Sequence, residues 1–326
     1  MHDEKNNSIL SKTPVLAAIA LLCCALWGSA TPAIKTGYKL LEVEGVASIM
    51  LFAGIRFFLA GLLTILIFSL AQGKFLYPKK ENVKYVLTVS VFQTVVQYIF
   101  FYLGLAYTSG VKGTVASGAS AFFSVLIASL IFRQEKLTLK KILACVAGFS
   151  GIVVMNLGGL TFSDGWLDLM GVGFVLLSTI AYSVSSVLLK RYSAYESPVT
   201  ISGYQFMVGG LFMALVGLVF GGSLNLASFP GVLDLIYLAF LSAIAYSLWG
   251  LLLKNNPVSR VSVFNFTTPL FGVVLTAIFL RGENTRVGTL QLICTLLLIC
   301  FGIFLLNYSK PTKPAAKQAD EVLDEQ

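Results

Sequence analysis

The chain has 326 residues, of which 57% are hydrophobic and only 12% charged, with a formal net charge of +8. Soluble domains carry about 25% charged residues and need a polar surface, so this composition excludes an ordinary globular domain. The cations lie between apolar runs rather than in one patch, which excludes a nucleic-acid interface and fits membrane topology.

Residues 1–13 are polar and are expected to form a cytoplasmic tail. The first apolar run, 15–34, is long enough to cross about 30 Å of hydrocarbon as a helix. More such runs follow, so it reads as a retained span and not a cleaved leader. The others are 46–71, 85–107, 113–132, 142–160, 169–189, 199–221, 232–253, 261–280 and 287–306. Each is expected to be helical, because unpaired backbone groups are too costly in lipid and the alternation of a barrel strand is absent. Residues 309–326 are polar and are expected to be a disordered cytoplasmic tail.

Charge orients the spans. Lys74, Lys79, Lys80, Lys84, Arg133, Lys136, Lys140, Lys141, Lys190, Arg191, Lys254 and Arg260 fall on the side of both termini. The other side holds Lys35, Lys39, Lys112, Arg281 and Arg286. Cytoplasmic segments carry the excess of Lys and Arg, so a multi-pass protein of the cell membrane with both termini in the cytoplasm is expected. The segment from Gly158 to Asp168 is then external.

The cysteines, Cys23, Cys24, Cys145, Cys294 and Cys300, all sit in apolar runs without metal-ligand spacing. They read as small hydrophobes. The only histidine, His2, is in the polar tail, so neither a zinc site nor a histidine proton relay is expected. No nucleotide-binding signature is visible, and no cofactor is expected. Asp168 and Asp234 read as edge residues, which leaves no carboxylate deep in a span for ion coupling.

The two halves resemble each other. At a spacing of 148 residues Tyr98 meets Tyr246, Lys112 meets Arg260, Phe123 meets Phe271, Arg133 meets Arg281 and Glu135 meets Glu283. At 155, Trp27 meets Tyr182 and Lys35 meets Lys190. Each half holds five spans, and an odd number makes the second half enter from the opposite side. The predicted fold is therefore an all-α integral membrane protein, its ten transmembrane helices forming two inverted five-helix repeats, 14–160 and 161–308.

Leu26-Trp27-Gly28-Ser29 in span one and Glu135-Lys136-Leu137-Thr138 after span four, in this ten-span plan, resemble the EamA-type drug/metabolite transporter superfamily. The resemblance covers about residues 14–308. It implies a central cavity walled by spans 1–4 and 6–9, with spans 5 and 10 peripheral. Pro269 fits the proline usual in span nine of that superfamily, whereas span four has Ala121 at the equivalent place. Gly302 lies about one turn beyond the position that Gly151 predicts, which leaves the packing of span ten open.

Several residues are candidates for contact with a solute. Arg56 is a lone cation in mid-span, either attracting an anionic group or fixing helix packing; its second-half counterpart is near Gln205. Gln93 and Gln97 share one face of span three, and Tyr98 and Tyr102 form a second stripe. Tyr182, Tyr246 and Trp249 are aromatic groups that either bind solute or pack. Pro32 and Pro269 each remove a backbone bond, freeing the carbonyls of Gly28 and Asn265 beside Trp27 and Thr31 in one case and Asn265 and Thr268 in the other. Broken helices at mid-membrane are a recurring way to build substrate sites, and packing kinks are the alternative. Ser117 and Ser120 stand at the positions equivalent to Asn265 and Thr268. Ala144, Ala147, Gly148 and Gly151 form small-xxx-small pairs that serve close packing or a homodimer.

The inverted repeats and the resemblance together imply a secondary transporter of a small metabolite, an amino acid or related solute, with export among its directions. It would work by alternating access around a midplane cavity. A membrane enzyme would need clustered catalytic residues, and a receptor or scaffold a sizeable soluble domain; neither is visible, and no enzymatic activity is expected. The expected partners are the solute and membrane lipids.

Overall fold

In a computed structural model, residues 9–108, 110–159, 165–279 and 288–307 are described. The repeat matches Arg281 and Glu283, the cation Arg286, residues 160–164 of the expected external segment, and the tail 309–326 lie outside the described residues. Ten helices are long and apolar enough to cross a membrane. They are α1 Thr13–Leu40, α2 Gly45–Gln72, α3 Lys80–Tyr107, α4 Val111–Ile131, α5 Leu139–Asn156, α6 Gly165–Tyr192, α7 Pro198–Val219, α8 Phe229–Asn255, α9 Val258–Thr276 and α10 Leu290–Asn307. The described residues contain no strand. Large apolar side chains cover the outside, among them Leu62, Leu66, Leu211, Leu215, Leu297 and Phe301. That is the surface a bilayer requires and water forbids. The chain is a multi-pass membrane protein.

The packing is symmetric under exchange of the repeats. Helix α1 packs on α8 as α6 packs on α3, and α1 meets α9 as α6 meets α4. The pairs α2–α7, α4–α9 and α5–α10 map onto themselves, so each crosses the pseudo-two-fold axis. Such an axis relates two repeats of opposite topology. Two groups of three helices follow: α3, α4 and α6 on one side, and α1, α8 and α9 on the other.

Small residues let the central pair close. A Cβ on Gly54 would fall 2.3 Å from the Ala214 nitrogen, and one on Gly210 would fall 2.4 Å from the Phe58 nitrogen. Backbone thus touches backbone along α2–α7, the usual device where lipid supplies no hydrophobic drive between helices. The α5 stripe is spent in the same way. Gly302 of α10 rests on the Ala144 carbonyl, Gly151 faces Ile299, and Thr295 Oγ1 donates to the Gly151 carbonyl at 3.0 Å. The shifted Gly302 therefore has a place of its own against α5.

Three helices depart from α geometry. Helix α9 begins as Val258–Ser262, tightens to a 3-10 turn over Val263–Thr267, and resumes at Thr268. Helix α4 breaks at Ala119, between Gly110–Gly118 and Ser120–Leu126, without any proline. These two breaks fall at equivalent positions of the repeats. Helix α1, by contrast, runs unbroken through Pro32. The third irregular helix, α3, carries a π turn over Val91–Val96.

Candidate functional site

The site is built where the two groups meet on the axis. Tyr98 of α3 and Tyr246 of α8, matched across the repeats, bond through their hydroxyls at 3.2 Å. The Phe57 and Phe206 rings, one from each repeat, stack at 5.2 Å, and Tyr246 stands edge-on to Phe206 at 4.8 Å. Trp27 of α1 lies edge-on to both Tyr246 at 5.1 Å and Trp249 at 5.0 Å. On the other side of the axis, Asn265 Nδ2 of α9 donates to the Tyr182 hydroxyl of α6 at 3.3 Å. Trp27, Tyr98 and Tyr182 thus pack against a shared apolar cluster with Tyr246, Phe57 and Phe206 on the axis.

Several polar atoms on the helices around this cluster are buried without a partner. Trp27 Nε1, Trp249 Nε1, Gln93 Oε1, Gln97 Oε1 and Thr268 Oγ1 are all buried without a hydrogen-bond partner. Buried polar atoms are normally paired, so each of these groups calls for a further partner, water or solute.

One expectation needs correction. The Asn265 carbonyl is not left free by Pro269, because the 3-10 turn lets the Thr268 N–H bond to it. What the turn exposes is the Thr268 hydroxyl and the Asn265 amide. The stretch that holds Gln93 is not regular α-helix. The π turn passes through Gln93, which is 2% exposed, and ends before Gln97, which is half-buried; both keep a buried, unpaired Oε1. A π turn is a frequent mark of a functional segment. Asp234 lies in the second turn of α8, near the helix edge as expected, half-buried and with Oδ2 covered and unpartnered. Thr31 is exposed, one turn from Trp27 and beside Gly272 of α9, outside the buried cluster.

Arg56 is 4% exposed, and its Nη2 donates to Ser242 Oγ of α8 at 3.0 Å. At the corresponding place in the other repeat, Thr94 Oγ1 of α3 donates to Gln205 Oε1 of α7 at 2.7 Å. Both ties join a repeat's second helix to the other repeat's third. Each leaves one buried nitrogen without a partner, Arg56 Nε in the first and Gln205 Nε2 in the second.

The face that carries both termini is latched across the two groups. Glu135, after α4, accepts from the Ser259 N–H of α9 at 3.1 Å, from the Ser259 hydroxyl, and from Lys141 Nζ at 2.7 Å. Lys190 of α6 donates to the Leu253 carbonyl at 2.8 Å and to that of Asn256, at the end of α8. Other polar contacts hold each group together. Lys112 meets Asp168 at 2.6 Å within the first, and Arg260 donates to Thr13 Oγ1 at 2.6 Å within the second. Lys112 and Arg260 are matched across the repeats, so even these ties are symmetric. The latch through Ser259 and the clamp through Ser242 give no signal in the sequence, because a serine in an apolar helix looks the same whatever it touches.

Known proteins share this plan. A solved crystal structure with 17% sequence identity superposes with a TM-score of 0.72, covering 88% of this chain and 94% of that one, which shows the same fold. An uncharacterized transporter of Archaeoglobus fulgidus is 27% identical over 88% of this chain and 97% of its own length. The uncharacterized transporter YetK of Bacillus subtilis is 26% identical over 98% and 94%, respectively. A probable amino-acid metabolite efflux pump of Escherichia coli is 23% identical over 90% and 97%. The EamA-like transporter family matches residues 15–157 and 169–308, one match in each repeat. With ten spans in two inverted repeats and both halves matched, the chain belongs to the EamA-like transporter family.

Proposed function

We propose that this transporter is a secondary carrier of a small metabolite, an amino acid or related solute, moved by alternating access around the aromatic cluster on the pseudo-two-fold axis. The observation that carries the reading is the aromatic and hydroxyl cluster that joins the two repeats on the axis, in which Trp27 Nε1 and Trp249 Nε1 are buried without a partner. A solute with both donors and acceptors on a compact, partly apolar body suits that cluster. The efflux pump among the relatives supports the choice of solute class. The terminal face is read as cytoplasmic, from its excess of Lys and Arg. Transport is read as a rocking of α3, α4 and α6 against α1, α8 and α9. Partners are the solute and the surrounding lipid.

The test is flux in reconstituted vesicles with three variants of α9. Asn265→Ala and Thr268→Ala each remove one polar contact, and each is expected to weaken solute affinity about tenfold, the worth of one hydrogen bond in a buried site. Pro269→Ala restores a backbone donor, favours a continuous α-helix and is expected to slow exchange between the two open states. Thermal stability is followed in parallel. If all three move solute like the parent, the break in α9 is packing only, and the solute contacts lie elsewhere.

A further inference from the structure

We propose that Arg56 and Asp234 form a two-point site for a zwitterionic solute, Arg56 Nε taking its carboxylate and Asp234 Oδ2 its ammonium. The inference rests on the transport reading above and assigns a role to Asp234, which that reading leaves unused.

The first observation is the excess charge at Arg56. Gln205 makes the equivalent interhelical bond in the other repeat without a charge. The tie to Ser242 therefore needs only a hydrogen-bonding side chain. A guanidinium kept at mid-span is costly and is normally functional or paired. Here its Nε has no partner, and its nearest aromatic face is the Phe57 ring, 5.0 Å away.

The second is Asp234. It stands two turns before Ser242 on α8, about 12 Å along the helix. Its Oδ2 accepts from no donor. Helix α1 presents Gly37 to it, where a Cβ would fall 2.5 Å from Oδ2, and α2 presents the Phe52 ring beside that glycine. That ring stands one turn before Arg56 on α2, which brings the carboxylate into the neighbourhood of the arginine with no bond to Oδ2. The position equivalent to Asp234 in the first repeat is Val86, buried and apolar. Both charges therefore break the internal symmetry, both on helices that border the Trp27–Tyr246 cluster. One offers a bare donor, the other a bare acceptor, and the two are not bonded to each other through Oδ2. A solute with a carboxylate at one end and an ammonium close by satisfies both. Charge-assisted hydrogen bonds of this kind carry much of the discrimination between close analogues.

The experiment measures uptake by the purified full chain in vesicles, with three radiolabelled probe mixtures: the standard α-amino acids, their N-acetyl derivatives and the corresponding amines. The parent is expected to prefer the free amino acids over both other sets by about tenfold or more. Asp234→Asn is expected to lose the preference over the N-acetyl derivatives, while Asp234→Glu keeps it. Arg56→Gln is expected to lose the preference over the amines instead. Folding of each variant is checked by size-exclusion chromatography, and Asp234→Ser replaces the asparagine variant if that one does not fold. A parent that moves amino acids, with the same preference in a folded Asp234→Asn or Asp234→Ser, overturns the assignment and leaves the transport reading intact. A parent that moves solutes of another class overturns the assignment and the amino-acid choice together, whereas a parent that moves no solute overturns transport itself.

Discussion

Bridging positions 135 and 259 is expected to stop transport, and cutting the bridge to restore it. Glu135 and Ser259 join the end of α4 to the start of α9 on the terminal face, across the boundary between the two three-helix groups. Opening of that face requires them to part. A double variant, Glu135→Cys with Ser259→Cys, joined by a short reducible bis-thiol reagent, holds the face shut. The five native cysteines are first replaced, three of them buried and one half-buried. Flux is expected to fall by about tenfold or more when the linker is in place, since a conformational step that sets turnover is then blocked. Reductant should return it. The matching control is a bridge within one group, between Lys112→Cys and Asp168→Cys, whose side chains already meet at 2.6 Å. That bridge is expected to leave flux nearly unchanged, because the group moves as one body. Equal inhibition by both bridges contradicts the rocking of two groups.

Adding a side chain at the central crossing is expected to cost folded protein. Gly54→Val or Gly210→Val places branched carbon where backbone atoms of the partner helix stand at 2.3–2.4 Å from the Cβ site. The helices have to separate, and their contacts on both sides of the crossing are lost. Overpacking of ordinary cores costs about 1–3 kcal/mol, and a backbone-to-backbone crossing offers no rotamer by which to yield, so the upper end is expected. A cost of that size is a large part of a typical folding free energy. The measurement is the yield of monodisperse protein and its melting temperature in detergent. Gly173→Ala in α6 is the control with the opposite sign. No atom lies within 4 Å of its Cβ site, so relief of backbone entropy should stabilise it by about 0.5–1 kcal/mol. Two valine variants that melt like the parent contradict the tight α2–α7 axis.

Much of the fold was legible because one physical rule governs it. Apolar length fixes the spans, so the predicted 46–71 and 199–221 agree with Gly45–Gln72 and Pro198–Val219 within a few residues. The repeat was legible too, because its matched polar and aromatic residues stand at the axis or at helix ends. Tyr98 and Tyr246, aligned at 148, touch because they straddle the axis. Local geometry was less readable. The break at Ala119 has no proline to announce it, and the π turn at Val91–Val96 is written in ordinary apolar residues. Pro32, which does read as a breaker, leaves α1 continuous. The surroundings of Asp234 were not readable, since hydropathy places a residue along a helix but not what a neighbouring helix sets against it. Gly37 supplies that cover, and nothing near Asp234 in the sequence points to it.

The central claim is that the purified chain carries solute past the aromatic cluster on the pseudo-two-fold axis. The most direct measurement loads vesicles containing it with a cell metabolite extract and follows by mass spectrometry which solutes leave down their gradients. The account predicts saturable efflux of a small set of compact polar solutes, amino acids among them, that stops when positions 135 and 259 are bridged and resumes on reduction. Efflux no faster than from protein-free vesicles, or efflux indifferent to the bridge, would contradict it.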